Sequence, residues 1–249
     1  MSLPIEADSM PLATLETPKG TIKLHVCKDG TFENDEWIEL YEEAFPPSQR
    51  QELDDVQQQL RSGVMELDET RDSQEEILCM TLTEVFGGDE ATEPNLLLAC
   101  YTAVAHQMRG LGIGSIHRRK LGELLSAEYP DYLGIFSEIE STKEKGISEK
   151  DMLVRTKRKS FFMRLGLIPV EIDYLFPSYT KGEPALEGEL LWVPFGPPEL
   201  QVKTLEKVLR RIYVEGYKLD ETDPLIDSVL KTIRLKSPAS SLVALGSTV

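Results

Sequence analysis

What this chain lacks narrows its chemistry before any motif is considered. No apolar run approaches the roughly 20 residues that a membrane helix requires, so no membrane span is expected. Its three cysteines, Cys27, Cys79 and Cys100, and three histidines, His25, His106 and His117, show no metal-ligand spacing. Buried free thiols and no metal are therefore the expectation. Basic residues are short: 27 Lys and Arg stand against 43 Asp and Glu, a net charge of −16. Such a surface repels nucleic acid and anionic membrane, and neither is expected as a partner. The acidic, proline-bearing N-terminus has no apolar core of a secretory signal, which points to a cytoplasmic protein. No internal repeat is visible. Hydrophobic residues at 41% and charged residues at 28% leave ample material for a core within 249 residues.

What is present is an apolar run, Leu96 to Val104, leading into Gln107-Met108-Arg109-Gly110-Leu111-Gly112-Ile113-Gly114 and then a helical pattern from Ser115. A strand, a glycine loop and a helix N-terminus together form an anion site, because glycines let backbone N–H groups approach a phosphate and the helix dipole adds positive potential. Spacing separates the alternatives. The glycines fall as G-x-G-x-G, which is not the G-x-G-x-x-G of a dinucleotide fold, and Gly114-Ser115-Ile116 is not the G-K-[ST] of a Walker loop. A plain strand-to-helix turn is the weaker reading.

Periodicity organises the rest. Residues 1–19 lack a sustained period and read as a loose arm. Thr21 to Val26 reads as a strand. Asn34 is placed to cap a helix bearing Trp37, Ile38, Tyr41 and Phe45, which Pro46-Pro47 stops. A second helix is predicted from Ser48 to Arg61, ending at Gly63. Paired strands, Val64–Arg71 and Glu76–Phe86, precede the acidic loop Gly87–Pro94. After the glycine loop come a helix closed by Pro130, a strand Tyr132–Glu140, a charged loop Ser141–Asp151 and a helix Arg155–Leu165. Strands Leu167–Leu175 and Glu189–Phe195 follow. Beyond Pro197-Pro198 two amphipathic helices are predicted as a helical extension over 197–236, with a poorly ordered Ser- and Ala-rich tail over 237–249. These helices either pack back on the core or form a homodimer contact.

The element Gln107-Met108-Arg109-Gly110-Leu111-Gly112 and the order β-α-α-β-β-β-α-β-α-β-β over roughly residues 20–196 resemble the GNAT superfamily of N-acetyltransferases. The resemblance implies an α/β (α+β) domain, a mixed and mostly antiparallel twisted sheet flanked by helices. It also implies acetyl-CoA as co-substrate and transfer of its acetyl group to a small-molecule or peptide amine by direct attack on the thioester. In the family a backbone N–H near the end of the fourth strand, beside a bulge, polarises the thioester carbonyl. Val104 occupies that position, with Ala103 beside it, and the strand pairs with the pantetheine arm. Arg109, Gly110, Leu111, Gly112, Ile113 and Gly114 would cradle the pyrophosphate. Arg158, on the basic helix Arg155–Arg164, would meet a phosphate, with Lys159, Arg118 and Arg119 as rivals. For each of these a solvated cationic face is the plainer account. Phe45-Pro46-Pro47-Ser48-Gln49-Arg50 resembles a Phe-Pro-x-x-(Glu/Gln)-Arg element of a bacterial subgroup, which puts Phe45 and Arg50 on the acceptor side. A helix stop with Ser48 as cap explains the prolines and Ser48 but leaves Phe45 and Arg50 unexplained.

The chemistry needs a base for the amine and a home for the leaving thiolate. Glu138 and Glu140 share one face of their strand by period two, and suit a general base or recognition of a cationic amine. A solvent-exposed edge is the competing account. Tyr174 is a candidate proton donor. His106 sits at a strand end where histidines are more often structural, and His25 and His117 show no partner in the sequence. One departure stands out. The family's proton-donating tyrosine falls at Phe162, in Phe161-Phe162, and phenylalanine donates nothing. That departure keeps a second function open, an acyl-CoA-binding sensor or scaffold without turnover. A thiol ionising near pKa ~8.5 leaves without an acid in many thioester transfers.

Overall fold

The computed structural model describes residues 13–17, 20–27, 36–88, 93–179 and 182–236. The cap expected at Asn34, the tail 237–249 and most of the acidic loop's carboxylates lie outside them. Two N-terminal strands, β1 (Ala13–Thr17) and β2 (Gly20–Cys27), pair as an antiparallel hairpin. The sequence reading made residues 13–17 part of a loose arm. A short edge strand takes its order from main-chain pairing to β2, which leaves no apolar period to read.

Helix α1 (Glu36–Ala44) buries Trp37, Leu40 and Tyr41. A short turn over Pro47–Gln49 follows, and α2 spans Leu53–Ser62. Ser48 does not cap α2. The residue before that helix is Glu52, while the Ser48 carbonyl accepts the Tyr179 N–H at 3.2 Å. Gly63, at φ 73, closes α2 with its N–H on Gln59 and Leu60 carbonyls.

Strands β3 (Met65–Arg71) and β4 (Ile77–Phe86) form a hairpin whose turn is tied by Asp72 Oδ1, which accepts the Gln74 and Glu76 N–H groups. Next come β5 (Leu96–Val104), α3 (Ile113–Glu128), β6 (Gly134–Glu140) and α4 (Glu149–Arg164). The last of these starts at Glu149 rather than Arg155, because Ser148 caps it by accepting the Asp151 N–H at 3.1 Å. The single strand expected over Leu167–Leu175 is two, β7 (Ile168–Pro169) and β8 (Tyr174–Phe176). Both pair with β9 (Leu186–Pro194). Between them the chain leaves the sheet, and the Asp173 N–H donates to Thr232 Oγ1 at 3.2 Å.

The sheet runs β1-β2-β3-β4-β5-β6-β9-β7, with β8 also on β9, and is antiparallel except at β5/β6. Its two faces are covered differently. Leu97, Ala99 and Ile135 pack on Leu121 and Leu125 of α3, and Ile139 packs on Phe162 of α4. On the opposite face Leu67, Met80, Leu82 and Tyr101 lie against Trp37, Tyr41, Val56 and Leu60 of α1 and α2. The same face carries Leu98, Phe136, Leu190 and Trp192, which are covered by the C-terminal helices α5 (Val202–Arg211) and α6 (Pro224–Lys236). The helical extension thus folds back on the sheet. Arg211 fastens it, donating to the carbonyls of Phe86, Gly87 and Pro94 at 2.9–3.1 Å. The last turn of α5 widens to a π-turn over Ile212–Gly216, which delivers Tyr217 beneath the sheet.

Candidate functional site

The site grows from a defect in pairing. Strands β5 and β6 pair only over Leu97–Ala99 with Ile135–Ser137, and beyond that point they separate. A bulge helps to split them: Thr83 faces Ala99 and Leu82 faces Tyr101, leaving Cys100 as the extra residue. The bulge expected beside Val104 therefore falls earlier in the strand, at Cys100. Past it, the edge of β5 that faces β6 is free. Ala105 donates its N–H to the Leu78 carbonyl at 3.0 Å, toward β4. Strand alternation then turns the N–H and C=O groups of Val104 and Thr102 toward the open edge. The Val104 carbonyl accepts Arg109 Nε at 3.0 Å, as that orientation requires. Thr102 was absent from the sequence-based candidates. Strand alternation alone would have added it.

At the end of this edge lies the glycine loop. Gly110 and Gly112 hold φ of 81 and 87, both left-handed, and Gly112 is the residue preceding α3. Both are exposed, and a Cβ on either would meet no atom within 4 Å. The Ser115 and Ile116 N–H groups donate to the Gly112 carbonyl at 3.0 and 3.1 Å, which leaves those of Ile113 and Gly114 ahead of the first helical hydrogen bonds. An open space therefore faces a set of N–H donors at the positive end of a 16-residue helix. Gly114 serves packing instead, since a Cβ there would come 3.0 Å from Val104 Cγ2.

A cleft of about 960 Å³ joins the loop to the interior. Near the loop it is lined by Arg109, Gly110, Gly112, Ile113, Gly114 and Phe161. The inner end is lined by Phe45, Tyr101, Glu84, Glu138, Tyr179 and Tyr217. Ala103 and Val104 run along its wall, and Phe162, Glu140 and Arg158 stand at the α4 side. Leu111 is half-buried among Val104, Met108 and Ile116, behind the loop.

Glu138 is the focus of the inner end. Tyr217 donates its hydroxyl to both carboxylate oxygens at 3.1 Å, and Tyr174 donates to Oε1. Burial pushes the carboxyl up to about 7, against the two hydroxyls, which pull it down. Tyr174 is buried at 1% exposure and lies outside the cleft lining, so its contact is with Glu138 rather than with the cavity. Tyr217 does line the cavity. No sequence signal marked it, because it reaches the site only through the fold-back of α5. Glu140 is paired with Arg158, so a candidate base and a candidate phosphate ligand neutralise each other at the rim.

Other candidates are placed elsewhere. Arg50 donates to the Phe45 carbonyl at 2.9 Å, to the Glu42 carbonyl at 3.0 Å and to Glu42 Oε1 at 2.8 Å, closing the C-terminus of α1. It does not line the cleft, whereas Phe45 does, edge-on to Tyr101 with centroids 5.0 Å apart. Arg118 is buried over the Phe162 ring, and burial lowers its guanidinium to about 10. Arg119 and His106 are exposed and off the cleft. His117 has partners after all. It is buried between Thr70 and Thr81 at 2.8 and 2.9 Å, and burial drops its pKa to about 3, which keeps it neutral. Cys79 and Cys100 are free thiols. Among the described residues no cluster suits a metal ion, and no helix is long and apolar enough to cross a membrane.

No family model and no curated protein matches the chain. Solved structures do. A chain assigned to the GNAT acetyltransferase family from Bacteroides thetaiotaomicron superposes with a TM-score of 0.58 at 20% identity, over 79% of this chain and 99% of that one. An Acinetobacter baylyi protein assigned as an acetyltransferase gives 0.50 at 10% identity, over 70% and 93%. Identities this low speak to architecture. The chain has the mixed, mostly antiparallel α/β fold of the GNAT acetyltransferases.

Proposed function

We propose that this protein is an acetyl-CoA-dependent N-acyltransferase that acts by direct attack of an amine. The observation that carries the reading is the split between β5 and β6. It runs from a helix-N-terminal glycine loop, along an open strand edge, to the buried carboxylate of Glu138, near pKa 7. The fold supports it, since the two superposing chains are assigned as acetyltransferases.

The residues fit such a co-substrate. The loop from Arg109 to Gly114 offers N–H donors facing open space, which suits a pyrophosphate. The outward N–H groups of Thr102 and Val104 and the Thr102 carbonyl suit an extended amide-bearing arm, added to β5 as an extra strand, while the Val104 carbonyl holds Arg109. Bound acetyl-CoA would supply the electrophile, a thioester carbonyl. A strand N–H at Thr102 or Val104 is the donor available to polarise it. Glu138 takes the proton from the incoming ammonium, and a carboxyl near pKa 7 is matched to that task at neutral pH. Tyr217 and Tyr174 fix the orientation of Glu138. Neither phenol supplies charge, because burial raises both well above the ordinary tyrosine value.

A second reading, a CoA-thioester-binding module without turnover, draws on Phe162, which lines the cleft where a proton donor would serve. Release of free thiol from acetyl-CoA, assayed with a panel of primary amines, separates the two. Amine-dependent thiol release lost in Glu138→Gln supports the enzyme. Tight acetyl-CoA binding with no release under any amine supports the binding module.

A further inference from the structure

Glu84 has no part in the chemistry above, yet it lines the same inner chamber as Glu138. It is 2% exposed, and among the described residues nothing hydrogen-bonds its carboxylate. The chain makes room for it: Oε2 lies so close to Gly216 that a Cβ there would sit 3.3 Å away. The cation that acts on it, Lys218, is exposed and donates to the Glu215 carbonyl instead. A buried carboxylate without a partner is costly and persists where a ligand completes it.

Register places the two acids. Glu84, Leu98 and Phe136 stand side by side across β4, β5 and β6, and Glu138 is the next residue on the same face of β6. Two strand spacings, about 9–10 Å, separate their strands. Rings of Phe45, Tyr101, Tyr179 and Tyr217 occupy the walls around them. Aromatic faces and two carboxylates that form no ion pair with a protein cation among the described residues complement a flexible chain with a positive charge at each end. A monoamine would answer Glu138 and leave Glu84 unpaired.

We propose that the acceptor is a linear aliphatic α,ω-diamine, held with one nitrogen at Glu138 and the distal ammonium at Glu84. The assignment rests on the acyltransferase reading. In the transfer the Glu138-side ammonium gives one proton to Glu138 and attacks as the free amine. As the new C–N bond forms and the C–S bond breaks, the second proton leaves that nitrogen for the departing thiolate, giving an amide and a free thiol. The distal nitrogen keeps its proton and charge throughout.

Calorimetry on the full chain tests this without acetyl-CoA, at pH 8, with 1,4-diaminobutane and 1-aminobutane as probes. The diamine is expected to bind at least about tenfold more tightly, the size of one charge-assisted contact. In Glu84→Gln that advantage should vanish while 1-aminobutane affinity stays the same. A series of diamines of three to seven carbons on the unaltered protein is the second measurement, with a maximum expected at one chain length. Equal affinity for both probes, an advantage that survives Glu84→Gln, or a series without a maximum overturns the inference. Acetyl-CoA binding measured in parallel separates the failures. If it binds and monoamines are acetylated equally well, only the diamine assignment falls. If it does not bind, the acyltransferase reading falls, and the probe affinities still report on Glu84.

Discussion

Tyr217, delivered by the π-turn at the end of α5, donates its hydroxyl to both carboxylate oxygens of Glu138 on β6 at 3.1 Å. The C-terminal helices thereby reach into the candidate site, and their packing sets the orientation of the one carboxylate that the proposed chemistry uses as a base.

Glu138→Gln removes that base while keeping size and shape. Turnover is expected to fall by ~100-fold or more, the usual contribution of a general base, with acetyl-CoA affinity unchanged. In the unaltered protein the rate should rise with pH through about 7, because the deprotonated carboxylate is the active form. A pH–rate profile of kcat/KM, with and without the substitution, checks both.

Tyr217→Phe separates positioning from chemistry. The hydroxyl lowers the Glu138 pKa, so its removal should move the midpoint of the pH–rate profile to higher pH. The alkaline plateau should fall less than in Glu138→Gln. An unmoved midpoint would mean that Tyr217 only packs.

Stability carries the same acids with a definite sign. Burial raises Glu84 and Glu138 to about 7, so the folded state holds protons that the unfolded chain has already lost. Their contribution is fully present below the ordinary glutamate pKa and is lost as pH rises through about 7. Glu84→Gln should flatten this fall and raise the melting temperature at pH 8. Each kcal/mol gained there corresponds to about 2–4 °C for a chain of this size. Melting curves at pH 6 and pH 8 give the comparison.

Arg50 is assigned to the end of α1 rather than to a substrate. Arg50→Ala should cost about 1–2 kcal/mol of stability through its lost carbonyl contacts. Acceptor KM should stay unchanged. Chemical denaturation and steady-state kinetics distinguish this from direct acceptor contact, which would raise KM.

Legibility in the sequence followed the range of the interactions. The glycine loop, the long apolar strand and Gly63 were readable because each is a local backbone requirement. Glu138 and Glu140 were placed on one face by period two, and the structure then gave them different surroundings. Glu138 turns inward to two tyrosines, while Glu140 meets Arg158. The main-chain partners of Arg50, two carbonyls at the end of α1, leave no trace in side-chain pattern. Glu84 sits in a strand buried along nearly its whole length, where an acid carries no local signal of a cavity. Tyr217 depends on how a helix more than a hundred residues past β5 folds back over the sheet.

The most direct test of the account is calorimetric titration of acetyl-CoA into the protein and into Gly112→Asp. Aspartate tolerates the left-handed backbone of Gly112 better than most residues, and a side chain there enters open space, so the fold should survive. Its carboxylate would stand where the loop is read to hold a pyrophosphate. The account predicts clear binding to the unaltered protein and a loss of roughly tenfold or more in the variant, the scale of a like-charge contact at a helix N-terminus. Equal binding by both would remove the glycine loop from the site, and no binding by either would contradict the acyltransferase reading itself.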